Sequence, residues 1–434
     1  MRLLLAATAL SWWVIEPACA DTLEQALSDL LTSHPQISAA KQNLEANHQN
    51  KNAALAAYYP KLAFTGDGGY EHTDSPSRRD NDEGSLSSDR ETAAVSLTET
   101  LWDGSKREGI VAQAGLNQDV ADLTVGLTLQ DVLLEAITAY HDVLRDVHLI
   151  EIAKSDEDNL RQQLQLEDER VERGSGITVD VLQAKSRLQI AKERRVALEG
   201  RLRQAAAAYQ QVFGVAPDIA GLDEPVPPVS LLPADQGSAV QLALADNPAL
   251  AVSAKGIAIA EQQRRIARSE FFPTFDVVAR AGWENNVDGV EGHRTDYSVV
   301  LRVTWEIFSG FETRARVASS SAVYQQRKSE NIDTGRHVSE EVRRAWDDLE
   351  TSRQRVELLQ NAVNIAEDVY AARQKLRESG KESAINVLDA LSELKTAQIN
   401  FVNAGYDARV AVYRVLRAMG HLRPQDMGLT VAAN

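Results

Sequence analysis

The chain repeats itself, and that repeat limits what it can fold into more than any other feature. His34-Pro35 is echoed by Asn247-Pro248, and Tyr59-Pro60 by Phe272-Pro273, both 213 residues later. Further on the displacement settles at 206. It relates Trp102-Asp103-Gly104 to Phe308-Ser309-Gly310, Ala139-Tyr140 to Ala345-Trp346, and Gly174 to Gly380. It also relates Val181-Leu182-Gln183-Ala184 to Val387-Leu388-Asp389-Ala390, and Phe213-Gly214 to Met419-Gly420. One offset held over such a span marks two copies of one structural unit. The change of seven residues, between Pro60 and Gly104, assigns a longer loop to the first copy. Five of the twelve prolines fall between Val215 and Ser238. That stretch reads as an extended connector, because proline continues neither a helix nor a central strand.

The expected division is a signal peptide at 1–20, a first repeat at 21–214, the connector at 215–238, a second repeat at 239–420 and a tail at 421–434. In the leader, Arg2 precedes the apolar stretch Leu3 to Ile15, and Ala18-Cys19-Ala20 supplies the small-x-small cleavage pattern. Cleavage there exports a chain beginning at Asp21 and removes the one cysteine, so no disulfide framework or Cys-rich metal site is expected. Lipidation at Cys19 is disfavoured, since Glu16 stands where an apolar residue is required. No later segment is expected to supply the ~20 apolar residues of a membrane-spanning helix. A formal charge of −17 argues against nucleic acid as a partner, because such binding neutralises phosphates with basic residues.

Each copy opens with helical sequence, Leu23 to Ala57 and Ala239 to Ser269, ending at Tyr58-Tyr59-Pro60 and Phe271-Phe272-Pro273. Proline turns the residue before it away from helical geometry, so a switch from helix to strand is expected there. Alternation follows. Phe275, Val277, Ala279, Ala281 and Trp283 share one face, as do Tyr297, Val299, Leu301, Val303, Trp305 and Ile307 after a turn-rich segment. The first copy alternates more weakly, through Leu62, Phe64, Val95, Leu97 and Leu101. Period two with aromatics at the ends fits a tilted membrane strand, and also a hairpin of a water-soluble sheet.

Helical sequence of unusual length comes next, from Ser105 to about Arg173 and from Phe311 to about Ser379, without a proline in either. At 1.5 Å per residue each could reach ~100 Å. Val342, Leu349, Val356, Val363 and Tyr370 repeat every seven residues. A glycine turn then returns the chain in a further helix. There Val387, Leu394, Phe401, Ala408 and Val415 form one series, and Ala390, Ala397, Ala404, Ala411 and Ala418 a second. A period of 3.5 implies a left-handed supercoil, and alanine at its seam lets helices approach closely. Two hairpins give four strands, too few to close a membrane barrel, whose known bacterial examples start at eight. Several chains would have to share one barrel, because open sheet edges are not tolerated in lipid.

The tandem helix–hairpin–helix repeat, the aromatic-proline switches, the Trp-Asp-Gly and Phe-Ser-Gly strand exits and the Gly-x-x-x-x-x-Asp/Asn-Val-Leu-x-Ala turns resemble TolC-type outer-membrane channels, from Asp21 to Gly420. The resemblance implies a mostly α fold with membrane β. In it a duplicated helix–β-hairpin–long-helix repeat gives four strands per chain, completing a 12-stranded trimeric β-barrel that continues as a periplasmic α-helical barrel. It implies residence in the outer membrane of a Gram-negative bacterium, among outer-membrane lipid, with a long periplasmic extension. Its expected partners are two further copies, as a homotrimer, a periplasmic adaptor (membrane fusion protein) and an inner-membrane ABC or proton-driven transporter. It further implies a gate at the periplasmic end, ringed by acidic side chains, at positions matching Asp180, Asn386 and Asp389. Two departures stand out. Asn386 occupies a second acidic position, and Glu382 occupies the place of a basic latch residue.

Tyr58, Tyr59, Trp102, Phe271, Phe272, Trp305 and Phe308 are candidates for an interfacial aromatic belt. No catalytic, cofactor or metal residues are expected: Gly380-Lys381 lacks the rest of a phosphate loop, and no Gly-x-Ser-x-Gly or His-Glu-x-x-His occurs. Type I protein secretion and multidrug or metal efflux both fit a duct of this kind. A soluble periplasmic coiled-coil scaffold is the more distant alternative, separated from the channel by whether Tyr297 to Ile307 faces lipid or protein.

Overall fold

The computed structural model describes residues 22–429, so the expected signal peptide and the last five residues of the tail lie outside the described residues. The element order is α1 Leu23–Ser33, α2 Pro35–Leu55, β1 Lys61–Thr73, α3 Pro76–Asp80, β2 Leu86–Trp102, α4 Lys106–Glu172 and α5 Thr178–Phe213. It is followed by α6 Gln236–Asp246, α7 Pro248–Ser269, β3 Thr274–Asn285, β4 His293–Thr304, α8 Glu312–Glu378 and α9 Ala384–Met419. The first series recurs in the second, except that α3 occupies the longer first hairpin loop. The helix α4 and its counterpart α8 are each 67 residues long, and both α5 and α9 are 36.

Two expectations at the start of each repeat need correction. Leu23 to Ala57 is not one helix but two, broken at His34, whose extended backbone (φ −68°, ψ 127°) precedes Pro35. Ala239 to Ser269 likewise breaks at Asn247, which caps the new helix by accepting a hydrogen bond from the Ala249 N–H at 2.8 Å. The cause is the proline, which forces the residue before it out of helical geometry. The segment Gln236–Ser269 also contains an 18-residue stretch with a mean hydropathy of 1.2, apolar enough by length and composition to span a membrane, which the sequence does not lead one to expect. Leucine, isoleucine, valine and alanine supply it, and the break at Asn247 divides it.

The chain forms two compact units. One contains Ser38–Leu127 and Asp246–Val338, and with them the whole sheet. Its strands lie in the order β1-β2-β3-β4, every neighbouring pair antiparallel. The register Phe64↔Val95↔Ala281↔Tyr297 and Leu62↔Leu97↔Ala279↔Val299 puts the apolar series of all four strands on one face. That face is uncovered: Leu62, Phe64, Tyr297 and Val299 are each more than 70% exposed. The other face is charged. On it Arg90 bridges Asp67 and Glu71, both at 3.4 Å, and Arg294 bridges Glu284 at 2.5 Å.

The alternation ends sooner than its sequence pattern. β4 stops at Thr304, so Trp305 and Ile307 lie beyond the ladder, and a register shift between Thr100 and Trp102 takes Leu101 out of the alternating face. Both strand exits use the same turn. Gly104 and Ser105 have φ of 68° and 69°, and Gly310 and Phe311 have 62° and 69°. Two successive left-handed residues reverse the chain from strand to helix, and glycine takes the first position without steric cost. Asp103 then caps α4, accepting from the Lys106 and Arg107 N–H groups at 3.0 Å each.

The other unit contains, among the described residues, 22–37, Thr128–Ala245 and 339–429. It holds the C-terminal parts of α4 and α8 with their returning helices. The heptad series are its core: Val342, Leu349, Val387, Leu394 and Val415 are buried, as are Ala390, Ala404, Ala411 and Ala418. Leu160 of α4, Ala184, Leu188 and Ala191 of α5, and Leu388 and Leu391 of α9 pack as one cluster. Each fully buried leucine contributes about 1.5–3 kcal/mol of apolar transfer. Along α4 and α5 the flanking charges are complementary, with Asp146–Arg201 at 2.9 Å, Glu157–Arg195 at 2.8 Å and Asp168–Lys185 at 3.8 Å. The connector is pinned here too. Tyr140 Oη donates to the Asp223 carbonyl at 2.8 Å, and Tyr406 and Arg409 donate to the Glu224 carboxylate at 3.0 and 2.5 Å.

Candidate functional site

The three acidic or amide positions implied for a constriction lie at the turns joining α4 to α5 and α8 to α9. Both turns are closed by a glycine with φ above 70°, Gly174 and Gly380. The Ser175 N–H reaches back to the Arg170 carbonyl at 3.0 Å, and the Lys381 N–H to the Leu376 carbonyl at 2.9 Å. These six-to-one bonds satisfy helix-end carbonyls and fix where the returning helices begin.

Asp180 sits in the first turn of α5, 3.7 Å from the Arg377 guanidinium in the last turn of α8. Arg377 makes a closer bond to Glu167 of α4, at 2.7 Å, and Glu167 is 4% exposed. Arg170 holds the same carboxylate at 3.0 Å. Arg377 also donates to the Glu382 carbonyl at 3.0 Å. A basic side chain therefore does tie the second hairpin to the first, from position 377 instead of 382.

Glu382 and Asn386 serve the start of α9. Glu382 accepts from the Ser383 N–H at 3.0 Å and from the Asn386 side-chain amide, and Arg373 lies 3.4 Å away. The hydrogen bond from Asn386, then that from Ser383, hold the Glu382 carboxyl below the usual range. Asn386 is thus turned back toward its own helix end. Asp389, one turn further and on the same side of α9, is exposed and pairs with Arg187 of α5. The structure joins each of the three candidates to a partner in its own chain, and does not bring Asp180 and Asp389 together.

Arg187, Glu167, Arg373 and Arg377 were absent from the sequence reading. A signal for two of them was present in the repeat. At the offset of 206, Arg377 stands opposite Val171 and Arg187 opposite Glu393. Charge at a position that is apolar or oppositely charged in the other copy marks where the two hairpins differ in role.

In the unit that carries the sheet, the aromatic candidates make several local contacts. Trp102 packs edge-on against Phe272, centroids 6.0 Å apart, and tilts against Phe275 at 5.8 Å. Trp305 Nε1 donates to the Phe271 carbonyl at 3.1 Å. Phe308 meets Phe311 edge-on at 5.5 Å, and Tyr58 lies under the Arg107 guanidinium at 5.0 Å. Tyr59 is 70% exposed. Toward the other end of the strands, Tyr70, Trp283 and Tyr297 are also exposed on the apolar face. Tyr70 escaped the sequence reading because Gly66, Gly68 and Gly69 erase the alternation around it.

Residues 26–215 and 239–421 match the family model described as outer membrane efflux protein. The outer membrane efflux protein BepC of Brucella suis is 26% identical over 437 residues, covering 99% of this chain and 92% of that protein. The alkaline protease secretion protein AprF of Pseudomonas aeruginosa is 28% identical, covering 93% and 85%. The crystal structure of the outer membrane protein VceC of Vibrio cholerae superposes with a TM-score of 0.78 at 17% identity, over 92% of this chain and 96% of that one. These are channels, not enzymes, and their fold is the one described above. The chain is a member of the outer membrane efflux protein family, an outer-membrane channel protein of the TolC type.

Proposed function

We propose that three copies of this chain form one export duct, in which their sheets close a shared barrel and their long helices continue it into the periplasm. The observation that carries this reading is the sheet. Its four strands leave β1 and β4 unpaired on their outer edges, and its apolar face is uncovered. In hydrocarbon an unpaired edge costs several kcal/mol for each unsatisfied backbone group. Three copies of a four-stranded sheet give twelve strands, enough to leave a lumen lined by the charged face. A soluble scaffold would leave that apolar face in water.

Within this reading, the turns at Gly174 and Gly380 are the closed periplasmic end. Arg377, Glu167 and Asp180 are its latch, and Asp389 faces the constriction. The duct works with a periplasmic adaptor and an inner-membrane transporter. Type I protein secretion is the favoured role, because a relative named for alkaline protease secretion matches over most of the chain. Export of small molecules is the second reading, favoured by the relative named as an efflux protein. Deleting the gene in its host separates them. Loss of specific proteins from the medium with unchanged drug sensitivity supports secretion, and the reverse supports efflux. A chain that fractionates as a soluble periplasmic monomer would remove the duct altogether.

A further inference from the structure

Asp389 does not face solvent alone. Arg187 reaches it from α5, donating to its carboxylate and, at 3.5 Å, to the Leu388 carbonyl one residue earlier. Both side chains line an open groove of about 440 Å³ on α9, together with Glu393, one turn beyond Asp389, and Asn400. Arg187 also borders a small cavity of about 80 Å³ with Asp156 and Arg194. Those two form their own pair at 3.6 Å, and the Arg187 guanidinium is paired with Asp389. Each chain therefore presents two carboxylates and one guanidinium to this groove. The Arg187 side chain is 28% exposed, so it is held against α9 and still within the field of the groove.

We propose that Arg187 is a specificity-determining residue of the duct, a fixed counter-charge that halves the negative charge Asp389 and Glu393 set at the constriction. This rests on the reading of Asp389 as a constriction residue. Selectivity in a narrow pore follows the net fixed charge near its axis. With Arg187 in place that charge is one carboxylate per chain. Without it the charge is two, and cation preference rises. Loss of Asp389 instead leaves Arg187 facing Glu393, and cation preference disappears.

The test is the potassium-to-chloride permeability ratio of single channels of the purified full-length protein in planar bilayers under a KCl gradient. Arg187→Ala is expected to raise the ratio several-fold, Arg187→Lys to leave it near the parent value, and Asp389→Ala to bring it close to one. Arg187→Gln is measured beside Arg187→Ala, so that a variant failing to assemble does not decide the matter. A ratio that falls with Asp389→Ala but stays put in the Arg187 variants overturns the counter-charge and keeps the constriction. A ratio that moves in none of them overturns both. Equal rises in Arg187→Ala and Arg187→Lys would make Arg187 a packing residue and also refute the proposal.

Discussion

Arg377→Ala should unlatch the duct, and the size of the effect follows from burial. The lost guanidinium bonds Glu167 at 2.7 Å, and that carboxylate is 4% exposed. Removing one partner of a buried charged pair costs about 2–5 kcal/mol, much of it the penalty of leaving the other charge uncompensated. Arg170 remains on Glu167 at 3.0 Å, which argues for the lower end, about 2 kcal/mol. A cost borne by the closed arrangement alone multiplies the open-to-closed ratio by roughly 30. The assay is the open fraction of single channels, with Arg373→Ala as the control. Arg373 is 39% exposed and meets Glu382 at 3.4 Å, a surface pair worth about 0–1 kcal/mol. If Arg377→Ala opens no more often than Arg373→Ala while still assembling, the pairs at the hairpin tips do not hold the gate.

Other perturbations test the rest of the architecture. Leu301→Arg, on the uncovered apolar face, should cost about 2–4 kcal/mol at the bilayer midplane and block insertion, whereas Arg302→Leu on the charged face should insert normally, as membrane fractionation would report. Leu391→Ala empties a 1%-exposed position shared by α4, α5 and α9 and should lower stability by about 2–5 kcal/mol, read from thermal unfolding in detergent. Folding holds the Glu224 carboxyl below its ordinary value of 4.5; burial acts to raise it, and the hydrogen bonds from Arg409 and Tyr406 outweigh that. Its contribution is then fully present above pH 4.5 and lost as pH falls below it, so the stability gap between the parent and Glu224→Gln should be constant at neutral pH and close in acid. A gap that stays open in acid would show that Glu224 does not fasten the connector through its charge.

Much of this molecule was settled along the chain. The duplicated signature placed two hairpins and two long helices, and α4 and α8 begin and end within a residue of the expected limits, because nothing in 67 residues breaks the helix and a strand exit and a glycine bound it. The seam residues were legible because a heptad repeats the same contact every two turns. The breaks at His34 and Asn247 are written in the sequence, since each residue precedes a proline that turns it out of helical geometry. What no local pattern carries is pairing between elements distant in the chain. Arg187 finds Asp389 across 202 residues and Arg377 finds Glu167 across 210, because the corresponding helices of the two copies, α5 with α9 and α4 with α8, lie side by side in the same direction. Sequence named the acidic positions; only the packing of four helices decided which of those charges are answered and which stay open to solvent.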